Sequence, residues 1–218
     1  GTSGATFDSA TSGITWGLTD AGTGSPSYRA VFNGNVTFSG AGNSSFSHSF
    51  TGTGATVTKN GTGTTTLSGV NTYTGVTTIN AGTLQVGAAG TTGNLGTGNV
   101  VNNGTLSFNR TDTYVVTNLI SGLGSLAQLG TGNTSLTNAN SYSGGTTLSG
   151  GTLGVYDNSA IGTGALTAAN GTKVMFGRNV TNFANNVTLN GSVTFDLDSS
   201  IDYLVVGGGG GGGSWVGG

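Results

Sequence analysis

The chain of 218 residues is characterised first by what it lacks. It has no cysteine and no glutamate, a single proline (Pro26) and a single histidine (His48). Without cysteine the chain has no disulfides, and one histidine alone cannot supply the Cys/His ligand set of a zinc site. The sequence therefore excludes both of the usual covalent or metal supports of a fold.

Charge is also scarce, with five basic and seven acidic residues and a net charge of −2. The five basic residues are scattered along the chain and form no stripe that would follow a phosphate backbone, so we expect no nucleic-acid partner. There is no apolar run of about 18 residues, so we predict no transmembrane helix. No GK[ST] sequence follows the Gly-x-Gly pairs, and no cofactor is expected.

Glycine and threonine fill the place of the missing residue types, with 45 and 39 copies. Short runs that alternate apolar and polar residues recur along the chain, for example Val36–Phe38, Thr83–Val86 and Val193–Leu197. Alternation with a period of two indicates strands with one buried and one solvated face. Helix formers are few, and the composition predicts an all-β protein.

One segment occurs twice. Residues 61–87 reappear as residues 130–156 at a constant offset of 69, and 14 of 29 positions are identical when 59–87 is aligned with 128–156. A fixed period without insertions is typical of a solenoid, in which each unit stacks on the next. If one coil takes about 23 residues, each copy contains three coils and the whole chain nine or ten.

The shared residue types suggest a role for each position in such coils. Leucine, isoleucine and valine are predicted to face inward (Leu67, Ile79, Leu84, Val86), and glycines to lie at corners (Gly75, Gly82, Gly144, Gly151). Asn71 and Asn140 are expected at turns, where an amide can bond to the next coil. Tyr73 and Tyr142 are interpreted as packing residues.

The pattern of residues 61–86, with Asn71-Thr72-Tyr73-Thr74-Gly75 at its centre, resembles the autotransporter-associated β-strand repeat of bacterial surface proteins. The second copy departs from that pattern at Asn138 and Gly145. The resemblance implies a right-handed parallel β-helix (β-solenoid) that lies outside the cell or on the bacterial cell surface. The family pattern carries no catalytic residues.

The two ends of the chain lack the repeat. We divide the chain into an N-terminal β cap or edge region (1–54), a repeat β-helix (55–206) and a glycine-rich tail (207–218). The tail contains seven glycines, Gly207 to Gly213, and then Trp215. Trp16, Trp215, Gly207 and Gly213 are the candidates for contacts between copies. The start at Gly1 without a leader is typical of a mature secreted chain or of a cloned fragment.

Titratable residues are too few and too dispersed to indicate an active site. His48 lies between Phe46 and Phe50 in an alternating run and is interpreted as structural. Asp196, Asp198 and Asp202 are the candidates for oxygen ligands of a hard cation such as Ca²⁺, although their spacing matches no known calcium loop. Solvated strand residues are the simpler interpretation.

The sequence predicts a non-enzymatic extracellular structural protein, either a β-helical shaft or a subunit of a self-assembling fibre. Its partners would be further copies of itself, or glycans or a host surface. The first alternative is an adhesin that binds glycans or host surfaces through exposed Tyr, Asn and Thr residues. The second is a β-helix enzyme acting on carbohydrates with paired carboxylates.

Overall fold

A computed structural model describes residues 5–7, 14–16 and 31–198. Within those ranges the chain forms strands and no helix, so no segment there has the helical length and hydropathy needed to span a bilayer. The strands are β1 (Ala5–Phe7), β2 (Ile14–Trp16), β3 (Val31–Asn33), β4 (Val36–Phe38), β5 (Ser44–Phe46), β6 (Ser49–Thr51), β7 (Val57–Lys59), β8 (Thr64–Leu67), β9 (Thr77–Ile79), β10 (Thr83–Gly90), β11 (Val100–Asn102), β12 (Thr105–Arg110), β13 (Thr113–Val116), β14 (Ile120–Ser121), β15 (Ser125–Gln128), β16 (Asn133–Leu136), β17 (Thr146–Leu148), β18 (Thr152–Val155), β19 (Leu166–Ala169), β20 (Thr172–Phe176), β21 (Val187–Asn190) and β22 (Val193–Leu197).

The strands stack into a parallel β-solenoid of about eight turns, which confirms the predicted all-β parallel helix. Three long sheets run along it: a six-stranded sheet (β1-β4-β7-β9-β11-β14), a nine-stranded sheet (β2-β5-β8-β10-β12-β15-β17-β19-β21) and a five-stranded sheet (β13-β16-β18-β20-β22). A fourth pair, β3-β6, lies near the N-terminal end of the described chain. Every strand pair is parallel, because each strand meets the equivalent strand of the next coil.

The core is one continuous column of apolar side chains inside the coils. Leu84 of β10, Leu106 of β12 and Leu126 of β15 lie in register and are at most 1% exposed. At the N-terminal end of this column Phe38, Phe46 and Phe50 pack with ring centroids 4.8–5.9 Å apart. The predicted inward residues, Leu67, Ile79, Leu84 and Val86, are all fully buried, as the alternation of the sequence required.

The coils are shorter than the predicted 23 residues. Ser44 and Val187 occupy equivalent positions of the nine-stranded sheet, seven coils and 143 residues apart, so one coil takes about 20 residues. The offset of 69 therefore corresponds to about three and one-third coils rather than three. The prediction failed because it assumed that a sequence repeat must be a whole number of coils.

The second copy is consequently rotated by one face of the solenoid. Leu67 lies in the nine-stranded sheet, whereas its counterpart Leu136 lies in the five-stranded sheet. Thr77 belongs to the six-stranded sheet, whereas Thr146 belongs to the nine-stranded sheet. Equivalent residues thus keep their depth in the core and change the direction in which they face.

The ends of the chain fall partly outside the described residues. Within the predicted cap region, β4 and β5 pair in register with β7 and β8 of the following coils. Asp202, Gly207, Gly213 and Trp215 lie outside the described residues. The division into three regions remains a prediction.

Candidate binding surface

Buried asparagines connect neighbouring coils at one corner of each copy. Oδ1 of Asn71 accepts the Phe50 N–H at 2.9 Å, and its Nδ2 donates to the Asn94 carbonyl at 2.6 Å. Asn140 repeats both bonds, to the Ile120 N–H at 2.8 Å and to the Ala160 carbonyl at 2.7 Å. The predicted asparagine ladder is therefore present in both copies, with each amide satisfying backbone groups that the turn leaves unpaired.

The two repeat tyrosines lie inside the solenoid. Tyr73 and Tyr142 have no exposed surface, and their hydroxyls bond to Thr77 at 2.7 Å and Thr146 at 2.6 Å. Burial raises the pKa of both phenols. The predicted packing role is confirmed, and neither ring is available to a ligand at the surface.

A long polar side chain caps the glycine-rich corner in each copy. In the first copy Lys59 is buried and its ammonium donates to the Gly61 carbonyl, and desolvation lowers the pKa of Lys59. In the second copy Gln128 takes this place and donates from Nε2 to the carbonyls of Gly130 at 2.9 Å and Gly132 at 3.2 Å. A cation and a neutral amide therefore do the same work at equivalent corners.

Arg110 holds the excursion of the chain that follows β10. Its guanidinium donates to the carbonyls of Thr91 and Gly93 and forms a two-pronged pair with Asp112, at 2.9 and 2.7 Å. The same group lies 5.0 Å from the ring centroid of Tyr114. Hydrogen bonding from Arg110 lowers the pKa of Asp112. Arg110 is thus fully occupied in structural contacts.

The outer faces of the two longer sheets are uncharged. Outward positions of the six-stranded sheet in the described coils carry four hydroxyls in five places, namely Thr37, Thr58, Thr78, Val101 and Ser121. Those of the nine-stranded sheet carry six in eight, namely Ser45, Thr66, Gln85, Ser107, Ala127, Thr147, Thr167 and Thr188. Hydroxyls that face water keep these faces solvated without charge.

The outer face of the five-stranded sheet differs, because it bears both charges and an aromatic ring. Lys173 Nζ lies 3.0 Å from Asp196 Oδ2, and Lys173 lowers the pKa of that carboxyl. Tyr156 follows β18 at an outward position, between the buried Val155 and the partly buried Asp157. Its hydroxyl hydrogen-bonds to Asp198 and to Ser135, and burial, followed by the charge of Asp198, raises the pKa of the phenol.

Two glycines make room for this ring. A β-carbon at position 177 would lie 2.3 Å from Cδ1 of Tyr156, and one at position 154 would lie 2.8 Å from its Cε2. The backbone bond from Gly177 N–H to the Val155 carbonyl, at 2.8 Å, fixes this neighbour beside Tyr156. The ring therefore lies across the backbone of two adjacent strands. We call Ser135, Gly154, Tyr156, Gly177 and Asp198 the Tyr156 platform.

The predicted site residues have separate places. Asp196 and Asp198 both lie on this outer face, but Asp196 pairs with Lys173 and Asp198 bonds to Tyr156. Among the described residues, no three His, Cys, Asp or Glu side chains form a group that could hold a metal ion. Trp16 ends β2, where its backbone pairs with Phe46. The sequence analysis did not single out Tyr156, although the aligned copies signal it as the aromatic that stands against Gly87.

His48 lies at the corner between β5 and β6 and is 6% exposed. Phe46 and Phe50, on either side of it in sequence, are both buried. This environment agrees with the structural role predicted for His48.

Comparison with known proteins agrees with these features of the sequence and fold. Residues 57–86 and 126–155 match the model of the Passenger-associated-transport-repeat, and both ranges coincide with the two copies. The "Adhesin BmaC autotransporter" of Brucella suis biovar 1 (strain 1330) is 42% identical over 105 residues, which are 48% of this chain and 3% of the relative's length. No solved structure matches the chain. The chain thus carries autotransporter passenger repeats, and these matches indicate an adhesin-like protein of the cell surface or extracellular space.

Proposed function

We propose that this part of the protein is a non-catalytic, rigid shaft of a cell-surface passenger. The observation that carries the proposal is the use of buried polar side chains, since Asn71, Asn140, Lys59 and Gln128 all bond to backbone groups at the corners. Such bonds fix each coil on its neighbour and make no reactive group available. A sum of nearest-neighbour contacts of this kind gives a rod that resists bending and local unfolding.

The second part of the proposal is that the shaft presents an adhesive surface. The relative that carries this repeat is described as an adhesin, and the outer faces here are lined by hydroxyls with few charges. Such a surface favours neutral hydroxyl-rich partners over nucleic acid or strongly ionic surfaces. The predicted host-surface or glycan partner is therefore retained as part of the proposal.

The test is display of the chain on a non-adherent bacterium, with adherence to host epithelial cells as the readout. We expect adherence that survives the combined change of Asp112, Asp157, Asp196 and Asp198 to Asn, because no carboxylate chemistry is required. Adherence lost only with these changes, accompanied by release of reducing sugar ends from the target surface, would favour the carbohydrate-active enzyme instead. Absence of adherence by the parent chain would contradict the adhesive part.

Self-association between copies belongs to the same proposal. The last described coil leaves three core-facing side chains 39–47% exposed (Val187, Leu189 and Phe195), and a stacked neighbour would cover such residues. Trp16 and Trp215 remain the candidate contacts. Sedimentation velocity over a hundredfold range of protein concentration is expected to show growth along the rod axis, and a concentration-independent monomer would contradict self-association.

A further inference from the structure

Tyr156 is an aromatic residue that the solenoid itself does not require. The two copies share their inward residues, but the position of Tyr156 is taken by Gly87 in the first copy, where the coil closes with a glycine at φ +84°. The stacking of strands around it is normal, with Tyr156 N–H bonding to the Leu136 carbonyl at 3.0 Å. A large ring added to the outside of an otherwise complete coil calls for a role at the surface.

The platform around the ring is built by its neighbours in register. The outward row of the five-stranded sheet passes from Ser135 through Gly154 to Met175. The next row passes from Tyr156 through Gly177 to Asp198, as the bonds of Gly177 N–H to Val155 O and Asp198 N–H to Phe176 O show. Both glycines lie under the ring, and the two polar groups lie at its hydroxyl. The ring is therefore held in one orientation, with its inner face against the backbone.

We propose that the Tyr156 platform binds one sugar unit of a glycan, with the pyranose ring stacked on the outer face of Tyr156. The proposal rests on the adhesive function proposed above and assigns it a site. An aromatic ring offers a flat apolar surface that matches the C–H face of a pyranose, while fixed polar groups at its edge orient the ligand. Asp198 and Ser135 supply an acceptor and a hydroxyl for the sugar's own hydroxyl groups.

The charge around the platform favours a neutral ligand over a cationic one. Asp196 is already paired with Lys173 on the same face, and the exposed Arg178 follows Gly177 directly. Positive and negative groups are thus balanced near the ring, so a basic peptide gains no net attraction. Pre-ordering of the ring also reduces the entropy that binding must overcome.

The experiment is saturation-transfer difference NMR on the full 218-residue chain with gluco-, galacto- and manno-configured neutral pentasaccharides. We expect transfer to at least one pentasaccharide, with the C–H protons of one sugar face most strongly saturated. Tyr156→Gly restores the residue of the first copy, so it should fold, and it should weaken binding roughly tenfold or more. Tyr156→Phe should retain much of the binding, because the stacking face remains.

Thr167→Ala, in the outer row of the nine-stranded sheet, is the matched control and should bind like the parent chain. Binding that is equal in Tyr156→Gly and the parent, or absent for every pentasaccharide, would overturn the proposal. Binding to a lysine-rich peptide but to no pentasaccharide would also overturn it in favour of a cationic partner. If cells displaying Tyr156→Gly adhere as well as the parent, this site is refuted while the adhesive function stands.

Discussion

The two copies of the repeat have the same interior and different surroundings. Tyr73 and Tyr142 make the same buried bond to a threonine four residues later, yet they lie on different faces of the solenoid. Equivalent inward residues are preserved because the core has the same cross-section at every face. Outward residues are free to change, as Gly87 and Tyr156 show. The repeat therefore preserves a way of packing a coil and not a surface.

The rotation has a physical advantage for a long rod. In each copy the stretch around the asparagine and tyrosine, 71–75 or 140–144, forms no strand. With an offset of a whole number of coils these stretches would all lie on one side and weaken it. An advance of three and one-third coils distributes them around the axis. A third copy at the same offset would complete the circuit.

The largest effect is expected from removal of the repeat tyrosines. Tyr142→Ala should lower the free energy of unfolding by about 3–5 kcal/mol, because it leaves a cavity the size of a phenol ring in the core. Tyr73→Ala should cost a similar amount, and denaturant unfolding of both variants measures this. A loss twice as large in one copy would show that the interiors are not equivalent.

Removal of a corner asparagine should have the next largest effect. Asn140→Ala leaves the buried Ile120 N–H and the Ala160 carbonyl without their partner, and we expect a loss of about 2–4 kcal/mol. Asn138→Ala is the control, since its bond to the Thr117 carbonyl is exposed, and it should have little effect. Hydrogen exchange should localise the change to the Ile120 amide. Equal losses in both variants would contradict the role of burial.

The smallest effect is expected from exchanging the corner caps. Lys59→Gln should retain or slightly raise stability, because Gln128 shows that a neutral amide fits this corner. The pKa of Lys59 is lowered below 10.5, so the unfolded state binds the proton more tightly. The stability of the parent chain should therefore rise relative to Lys59→Gln as pH increases from neutral toward 10.5.

Chemical denaturation of the parent and Lys59→Gln at pH 7 and pH 9.5 measures this difference. Tyrosine ionisation affects both proteins alike and cancels in the comparison. A difference between them that does not change with pH would show that the ammonium of Lys59 is as well solvated in the folded chain as in the unfolded one.

Much of the fold follows from the sequence alone. Alternation in runs such as Thr83–Val86 gives one buried face by geometry, and the glycine at position 82 adopts φ +64° at a corner, as expected. The candidate site was harder to predict. Tyr156 is one tyrosine among six in the sequence, and the space it occupies depends on Gly154 and Gly177, which belong to different coils.

The sequence by itself determined an all-β stack of repeated coils, the inward residues, and the asparagine and tyrosine positions. These features depend on neighbours close in the chain or on the period of side-chain direction. Only the tertiary structure decided the length of a coil, the one-third turn between copies, and the meeting of Tyr156 with Asp198 across Gly177. Those outcomes depend on register between coils about 20 residues apart, which no local pattern specifies.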